Sequence, residues 1–456
     1  MEKIIEIRDT LLPLIEEKKF SAVKTILIEM NCADIAGLFN GMPVEIIPKI
    51  FRLLPKEIAA DTFVEVESDL QELLIKAFSD KELHDVLAEI FVDDAVDIIE
   101  EMPANVVKRI LKQAEPEMRN DINKLLKYPE NSAGSVMTTE FVEFNGDLTA
   151  EKAIQHIRKT AIDKETVNTC YITTKDRVLI GSVTLRSLIL ANQSDIISDI
   201  MEYNPICVTT EEDQENIATL FGKYNLLAMP VVDNENRLVG IVTVDDVLDI
   251  IEEETSEDIA KMAAILPSDK SYFKTGVFST VKSRIPWLLL LMISATFTGI
   301  IISSFESKLT LFPALIAFIP MLMDTAGNSG SQASVTIIRA ISLGEVSFRN
   351  ILRVMWKEFR VSIICAIILS FVNFFKIWLI DITILNRMAT LTDDLIVCIT
   401  LLFTIIIAKL VGCTLPLLAS KLKLDPAVMA SPFITTTVDA VALLIYFRFA
   451  TLILGL

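Results

Sequence analysis

The strongest constraint on the fold is a series of long apolar stretches in the last two-fifths of the chain. Each is long enough to cross the ~30 Å hydrocarbon core of a bilayer, which takes about 20 helical residues. Because backbone amides in lipid must bond within their own segment, such runs predict helices. The stretches, numbered spans one to five, cover residues 285–304, 311–339, 352–379, 391–419 and 427–454. They predict an all-α transmembrane domain of five helices.

Charge divides the 456-residue chain into two unlike parts. Residues 1–270 hold 52 Asp and Glu against 27 Lys and Arg, whereas residues 271–456 hold 9 against 15. The acidic part predicts a soluble region, and its sign argues against a nucleic-acid surface, which would be basic. An acidic surface permits cation binding, although solubility alone explains most individual carboxylates.

Basic residues predict the direction in which the spans cross the membrane. Cytoplasmic loops are enriched in Lys and Arg. The loops after spans two and four are the basic ones, with Arg339, Arg349, Arg353, Lys357, Arg360, Lys421 and Lys423. With five spans, the N-terminus is expected in the cytoplasm and the C-terminus outside the cell (plasma) membrane. The charged first ten residues contain no signal-peptide core.

Residues 1–130 predict a helical domain built by repetition. The segment Asp34–Pro43 is echoed by Asp94–Pro103, and both end in Met-Pro. Proline ends helices because it lacks an N–H and disfavours the α conformation in the residue before it. Helix, proline turn and helix predict a small α-solenoid of stacked hairpins.

Helix and strand patterns then alternate, and the alternation occurs twice. The predicted helices and strands are 150–159, 169–173 and 179–184 in the first copy, and 214–224, 228–232 and 238–243 in the second. This doubled β-α-β-β-α unit resembles a CBS pair, a regulatory α/β fold. In that family a Gly-x-Val-Thr-x-x-Asp segment can hold a nucleotide ribose. Gly240, Thr243 and Asp246 match it in the second copy, whereas Ser187 replaces the Asp in the first.

A carboxylate-rich connector leads from the soluble part to span one. Asp246, Asp249, Glu253 and Glu257 recur at helical spacings of three and four, so they share one helix face. Like charges on one face repel, by a few tenths of a kcal/mol per pair on an isolated helix. A divalent cation, a basic partner surface or simple solvation would each relieve this repulsion.

Two polar stretches, 320–334 and 431–439, interrupt spans two and five. Asp439 lies about 18 Å along its span at ~1.5 Å per residue, near the bilayer midplane. Asp324 reaches a similar depth from the opposite side. Ionisable residues at this depth are functional candidates by default. The structural alternative pairs Asp439 with Lys409, also deep in its span.

The residues around these carboxylates predict a path for a hard cation. Asn328 and Ser331 follow Asp324 along the same helix. Carboxylate, amide and hydroxyl oxygens suit Mg²⁺, which keeps most of its waters. Nothing indicates an enzyme, because the six Cys form no Cys-x-x-Cys, the two His are isolated and no Gly-rich phosphate loop is present.

Taken together, these motifs resemble the MgtE-type family of magnesium channels and transporters along the whole chain. The most specific matches are Pro320–Gln332 and Asp425–Asp439. One departure is Ala326-Gly327-Asn328, where the family commonly has Gly-Gly-Asn.

The resemblance implies a multidomain homodimer with a pore between spans two and five of both subunits. The expected domains are a helical N domain at 1–130, CBS modules at 131–200 and 201–253, a connecting (plug) helix at 254–282, and the transmembrane domain at 283–456. The expected pore and selectivity residues are Asp439, Asn328, Asp324, Ser331, Ser431 and Thr435, with Asp425 as a possible ligand at the pore mouth.

The same resemblance implies a cytosolic Mg²⁺ sensor. Its expected carboxylates are Asp61, Asp93, Asp97, Asp213, Glu215, Asp246, Asp249, Glu254, Glu257 and Asp258. Mg²⁺ would be both substrate and regulator: at low concentration the acidic faces repel and the pore opens, and at high concentration bound ions close it. ATP is a candidate ligand at Thr243 and Asp246. The alternatives are a divalent-cation exchanger, a Mn²⁺ or Co²⁺ transporter, and a membrane-anchored Mg²⁺ sensor.

Overall fold

A computed structural model describes residues 2–161, 164–268, 272, 275–306, 313–384, 390–429 and 431–454. The chain forms two compact units, Met1–Ile251 and Glu252–Leu456. Each unit is described by itself below.

The first unit begins with ten short helices, and the predicted helical N-terminal domain is confirmed. They are α1 Glu2–Glu16, α2 Phe20–Ile28, α3 Cys32–Phe39, α4 Ile47–Phe51, α5 Lys56–Val64, α6 Ser68–Ala77, α7 Asp80–Leu87, α8 Val92–Glu101, α9 Ala104–Gln113 and α10 Pro116–Leu125. Helix α3 packs on α5, α5 on α7 and α7 on α9, as in a stack of hairpins. The buried Phe39, Phe51, Phe63 and Phe78 join successive layers, with ring centroids 5.2 to 6.5 Å apart.

Two small sheets follow, and the doubled α/β pattern is confirmed. Their strands are β1 Glu143–Phe144, β2 Thr169–Thr173, β3 Leu179–Thr184 and β4 Glu202–Tyr203 in one sheet, and β5 Val208–Thr209, β6 Ala228–Val232 and β7 Leu238–Thr243 in the other. In both sheets a parallel pair (β1–β2, β5–β6) precedes an antiparallel pair with the same irregularity in register. The helices are α11 Ala150–Thr160, α12 Leu185–Leu190, α13 Ile197–Ile200, α14 Gln214–Tyr224 and α15 Val244–Met262.

Two elements cross the boundaries expected for these modules. Strand β4 lies just after residue 200 but pairs with β3, through Gly181 opposite Tyr203, and so completes the first sheet. Helix α15 runs without a break through residues 253 and 254, where the connector was expected to begin. The acidic residues Asp246 to Glu257 therefore lie on one continuous helix.

The second unit is helical. After the end of α15 it contains α16 Val277–Ser304, α17 Pro313–Ile316, α18 Ile319–Ser342, α19 Ile351–Lys376, α20 Leu391–Lys421 and α21 Ser431–Leu454. Short 3₁₀ turns at Phe348–Asn350 and Pro426–Met429 lead into α19 and α21, and a π-helical segment, Ile377–Ile384, ends α19. Helix α18 packs against both α20 and α21. Helix α20 also packs against α19 and α21, so α18, α20 and α21 pack together.

Four helical segments of the described residues are long and apolar enough to cross a membrane: Val277–Ser304, Phe348–Ile380, Leu391–Lys421 and Pro426–Leu454. Helix α18, which corresponds to span two, is not among them. Its middle carries Asp324, Asn328 and a run of Ser and Gly, which lower its hydropathy. The polar residues that suggested a functional role for α18 thus also prevent apolar composition from identifying it as a membrane span.

Candidate cation pathway and acidic sensor

Glycines bring the central helices of the membrane part unusually close. A Cβ added to Gly327 would lie 2.8 Å from Thr435 Cγ2, and one added to Gly330 would lie 2.9 Å from Ile434 Cγ2. A Cβ on Gly412 would run into the backbone carbonyl of Gly330. Small residues at a crossing let helix backbones approach each other. The spacing of these glycines thus sets polar side chains of α18 beside those of α21.

Helix α18 presents three of the predicted pore residues on one face. Asp324, Asn328 and Ser331 are spaced by four and three residues, which places them on adjacent turns. Asn328 Nδ2 donates to Asp324 Oδ1 at 3.2 Å. Ser331 Oγ lies 3.5 Å from Thr435 Oγ1 on α21. In the single chain Asp324 and Asn328 are exposed, so this polar face is open on one side.

Asp439 lies one turn beyond Thr435 on α21 and is half-buried. Its Oδ1 atom is buried and has no hydrogen-bond partner among the residues that the structure describes. Lys409 is only 6% exposed, yet it does not satisfy this oxygen. The arrangement leaves a buried carboxylate oxygen one turn from Thr435 on the same helix. The side chain of Ser431 lies outside the described residues.

Carboxylates gather in the first unit, around two of the predicted sensor residues. Asp93 is 5% exposed, and its Oδ1 has no hydrogen-bond partner among the described residues. Burial and the charge of Asp246 raise the pKa of Asp94 to about 7. Burial and the charges of Asp94 and Asp246 raise the pKa of Glu165 to about 8. Burial raises the pKa of Asp246 to about 6, although Thr243 Oγ1 donates to it at 2.6 Å.

This cluster contains residues that the sequence reasoning missed. Glu165 has an unsatisfied buried oxygen, and Glu140 accepts from the Val92 N–H at 3.0 Å. Glu165 lies in a loop with no helical or strand periodicity, so no local pattern could have selected it. Buried oxygens with raised pKa values fit a divalent cation, which would offset the repulsion between them.

Two further predicted sensor residues, Asp61 and Asp213, make local hydrogen bonds. Asp61 accepts a hydrogen bond from Cys32 Sγ at 3.7 Å. It lies one turn before Glu65, and the charge of Glu65 contributes to the raised pKa of Asp94. Asp213 caps α14 by accepting from the Glu215 N–H at 2.9 Å. Within the described ranges, no three His, Cys, Asp or Glu side chains converge closely enough to hold a metal ion by themselves.

At the end of α15, a lysine holds two of the predicted carboxylates. Lys261 Nζ lies 2.7 Å from Glu257 Oε1 and 2.7 Å from Asp425 Oδ2. Burial lowers the pKa of Lys261, but these two carboxylates outweigh it and the pKa is raised. Burial, and then the charge of Asp425, raise the pKa of Asp258. Lys261 was not among the predicted site residues, although its i,i+4 spacing from Glu257 is visible in the sequence.

The two candidate nucleotide-binding residues are hydrogen-bonded to each other. Thr243 donates to Asp246 through both its hydroxyl and its N–H, at 2.6 and 3.3 Å. In the first module Thr184 and Ser187 lie 2.9 Å apart at the matching positions. A carboxylate is therefore present at the start of the helix only in the second module, as the motif predicted.

Comparisons with known proteins agree with this organisation. Family models match residues 319–449 (MgtE, divalent cation transporter), 30–131 (MgtE intracellular N domain) and 197–253 (CBS domain). The fold and the family models thus define a membrane cation transporter with a cytosolic helical domain and a CBS pair.

Full-length relatives then identify the family. The chain is 33% identical over 444 residues to the magnesium transporter MgtE of Thermus thermophilus, covering 96% of this chain and 97% of the relative. It is 31% identical over 443 residues to that of Bacillus subtilis, covering 96% and 95%. A solved cytosolic domain of the Mg²⁺ channel MgtE in complex with ATP is 32% identical, with a TM-score of 0.51, and covers 53% of this chain and 99% of that one. This chain belongs to the MgtE family.

Proposed function

We propose that this chain is a Mg²⁺-selective channel that carries Mg²⁺ into the cytoplasm down its electrochemical gradient and is closed by cytosolic Mg²⁺. The observation that carries the proposal is Asp439. A carboxylate oxygen that is buried and unsatisfied, deep in an apolar helix and beside Thr435, needs a cation partner to be stable there. The relatives are named magnesium transporters, so Mg²⁺ is the ion that we assign to this pathway.

The proposed assembly is a homodimer with five spans per subunit, α18 being span two. Its exposed Asp324 and Asn328 would be costly against lipid, and a second copy would enclose them. The subunits would meet across the polar faces of α18 and α21. The N-terminus and both regulatory domains would then lie in the cytoplasm and the C-terminus outside the cell membrane, with lipid around the bundle.

Selectivity in this pore follows from the chemistry of hydrated Mg²⁺. Two Asp439 carboxylates, one per subunit, neutralise the ion, while Asn328, Ser331 and Thr435 hydrogen-bond its waters. Few carboxylates suffice, because a site that binds too strongly would trap the ion instead of passing it. Driving force needs no ATP hydrolysis, since a divalent ion gains ~4.6 kcal/mol per 100 mV. ATP at Thr243 and Asp246 would act as a regulator.

The proposed gate is the acidic surface of the soluble part together with α15, whose end acts as a plug. Mg²⁺ would bind the buried cluster around Asp93, Asp94, Glu165 and Asp246 and the carboxylates near Glu257. Moving a gate from mostly open to mostly closed takes about 5.5 kcal/mol of differential binding. Several weak sites can share that energy, and each Mg²⁺ bound between carboxylates also lowers their mutual repulsion.

The test compares Asp439→Asn with wild type in proteoliposomes that contain a Mg²⁺ indicator under an imposed inside-negative potential. Losing one charge-assisted contact per subunit should reduce Mg²⁺ influx at least about tenfold. Glu306→Gln, which removes an exposed carboxylate at the far end of α16, is the matched control and should keep wild-type influx.

Three outcomes would contradict the proposal. Unchanged influx in Asp439→Asn would remove the pore assignment. Wild-type influx that ignores the potential but requires an opposing ion gradient would indicate an exchanger. Influx of Mn²⁺ or Co²⁺ with none of Mg²⁺ would indicate a different substrate.

A further inference from the structure

A cavity of about 310 Å³ lies where the end of α18 meets the start of α19. Its wall includes apolar side chains and four charged residues, Arg339, Glu345, Lys357 and Glu358. The two positive and two negative charges cancel. A ligand matched to this cavity should therefore carry both signs of charge, and not a net charge of either sign.

None of the four side chains forms a salt bridge within the part of the chain that the structure describes, although they line one cavity. Glu358 is 8% exposed, and it lines this cavity without forming a salt bridge within the described residues. A largely buried acidic residue is stabilised by a cationic partner. A ligand with a cationic hydrogen-bond donor would supply that partner to Glu358.

Neighbouring aromatic residues place the cavity at the level of lipid headgroups. Trp356 is 59% exposed and lies between two cavity residues of α19 in sequence, and the Arg360 guanidinium lies 5.9 Å from its ring centroid. Lys421 Nζ lies 4.1 Å from the ring of Phe348 in the turn before α19. Tryptophan and basic residues concentrate at the membrane–water interface, where their apolar parts meet acyl chains and their polar parts meet water.

We propose that this cavity binds the headgroup of a zwitterionic phospholipid with a primary ammonium, phosphatidylethanolamine. Arg339 and Lys357 bind the phosphate, and Glu358 accepts hydrogen bonds from the ammonium. An anionic headgroup would leave Glu358 unmatched. A phosphatidylcholine headgroup has the same charges but no N–H to donate, and its trimethylammonium is bulkier. Glu358 therefore distinguishes the two zwitterionic lipids.

The site would couple the lipid to helix α18, because α18 carries both Arg339 and the proposed pore residues Asp324 and Asn328. This inference does not depend on the identity of the transported ion. It requires only that the end of α18 and the start of α19 lie at a bilayer surface.

The experiment is native mass spectrometry of the purified full-length protein, titrated in detergent with equal amounts of phosphatidylethanolamine and phosphatidylcholine. Wild type should retain phosphatidylethanolamine about tenfold more strongly than phosphatidylcholine. One good charge-assisted hydrogen bond corresponds to a difference in affinity of about this size. Glu358→Gln keeps the shape of the side chain and should remove this preference. Arg339→Gln combined with Lys357→Gln should lower retention of both lipids. Glu306→Gln, outside the cavity, should behave as wild type.

Equal retention of the two lipids by wild type, a preference kept by Glu358→Gln, or stronger retention of phosphatidylglycerol would each overturn the proposal. A second measurement uses wild type alone and so does not depend on how the variants fold. Soluble phosphoethanolamine should raise its unfolding temperature more than phosphocholine at the same concentration. Equal effects of the two compounds would also overturn the proposal.

Discussion

Single glycines decide how closely the membrane helices approach each other. Gly330 and Gly412 face each other across α18 and α20, and no side chain separates them. Gly299 on α16 has open space where a Cβ would lie. A glycine is therefore needed at residues 330 and 412 but not at residue 299. The reason is the space around each residue and not backbone strain.

Gly412→Ala should disrupt the bundle, and Gly299→Ala should not. The added methyl at residue 412 meets backbone, which cannot move aside as a flexible side chain would, so α18 and α20 must separate. Overpacking of this kind costs about 1–3 kcal/mol. We expect a lower unfolding temperature and reduced Mg²⁺ influx for Gly412→Ala. A Gly412→Ala protein as stable and active as the Gly299→Ala control would show that the close crossing is not needed.

At the scale of an element, α15 joins two groups of charged residues in one continuous helix. Its first turns follow β7 and carry Asp246 of the buried cluster, and its last turn carries Lys261. The ion pairs from Lys261 to Glu257 and Asp425 tie the end of this helix to the turn before α21. The Lys261 ammonium thus neutralises two carboxylates that belong to the proposed Mg²⁺-binding surface.

Lys261→Gln should make the channel close at lower internal Mg²⁺. Without the ammonium, Glu257 and Asp425 repel each other and bind Mg²⁺ more tightly. Because the groups are partly exposed, the change is modest, at about 1 kcal/mol or a fewfold decrease in the half-closing concentration. Currents measured against internal Mg²⁺ give this value, with Lys282→Gln on the exposed start of α16 as control. A half-closing concentration that rises would mean that Lys261 itself holds the gate closed.

At the scale of the whole molecule, the acidic half carries a cluster of buried carboxylates whose protonation changes near neutral pH. Its carboxylates are buried together at the expense of stability, as the raised pKa values of Asp94, Glu165 and Asp246 indicate. A group whose pKa is raised by folding stabilises the folded state fully below its unfolded pKa. That contribution disappears as pH rises through the folded value.

Residues 1–251, as a soluble unit without divalent ions, should therefore lose stability as pH rises from about 5.5 to 8.5. The window follows from pKa values of about 6, 7 and 8 for Asp246, Asp94 and Glu165. The unfolding temperature should fall by several degrees, at about 2–4 °C per kcal/mol for a unit of this size. Mg²⁺ should restore it at pH 8.5 but not at pH 5.5, where protons already neutralise the cluster. Glu165→Gln should flatten the profile.

A rise in unfolding temperature with pH in the absence of divalent ions would contradict this account of the cluster. So would a Mg²⁺ effect of equal size at both pH values. Asp176→Asn, in an exposed turn outside the cluster, is the control and should keep the wild-type slope.

Local patterns predicted the elements well, because they depend on neighbours in sequence. The strands 169–173 and 228–232 and the helix 214–224 lie where their periodicity and turns placed them. The common face of Asp324, Asn328 and Ser331 also followed from helical spacing alone. The short strand β4 was not predicted, since its partner β3 is about twenty residues earlier and pairing leaves no local mark.

The sequence by itself determined an acidic soluble half with a repeated α/β unit, an apolar helical half, the polar helices within it and the family. These follow from composition, period and motif, which act over a few residues. Only the tertiary structure decided that Asp439 Oδ1 is unsatisfied, that Glu165 joins Asp94 and Asp246, that Lys261 holds Asp425, and that Glu358 is buried beside Arg339 and Lys357. Burial and pairing depend on residues up to about 160 positions apart, and packing alone brings them together.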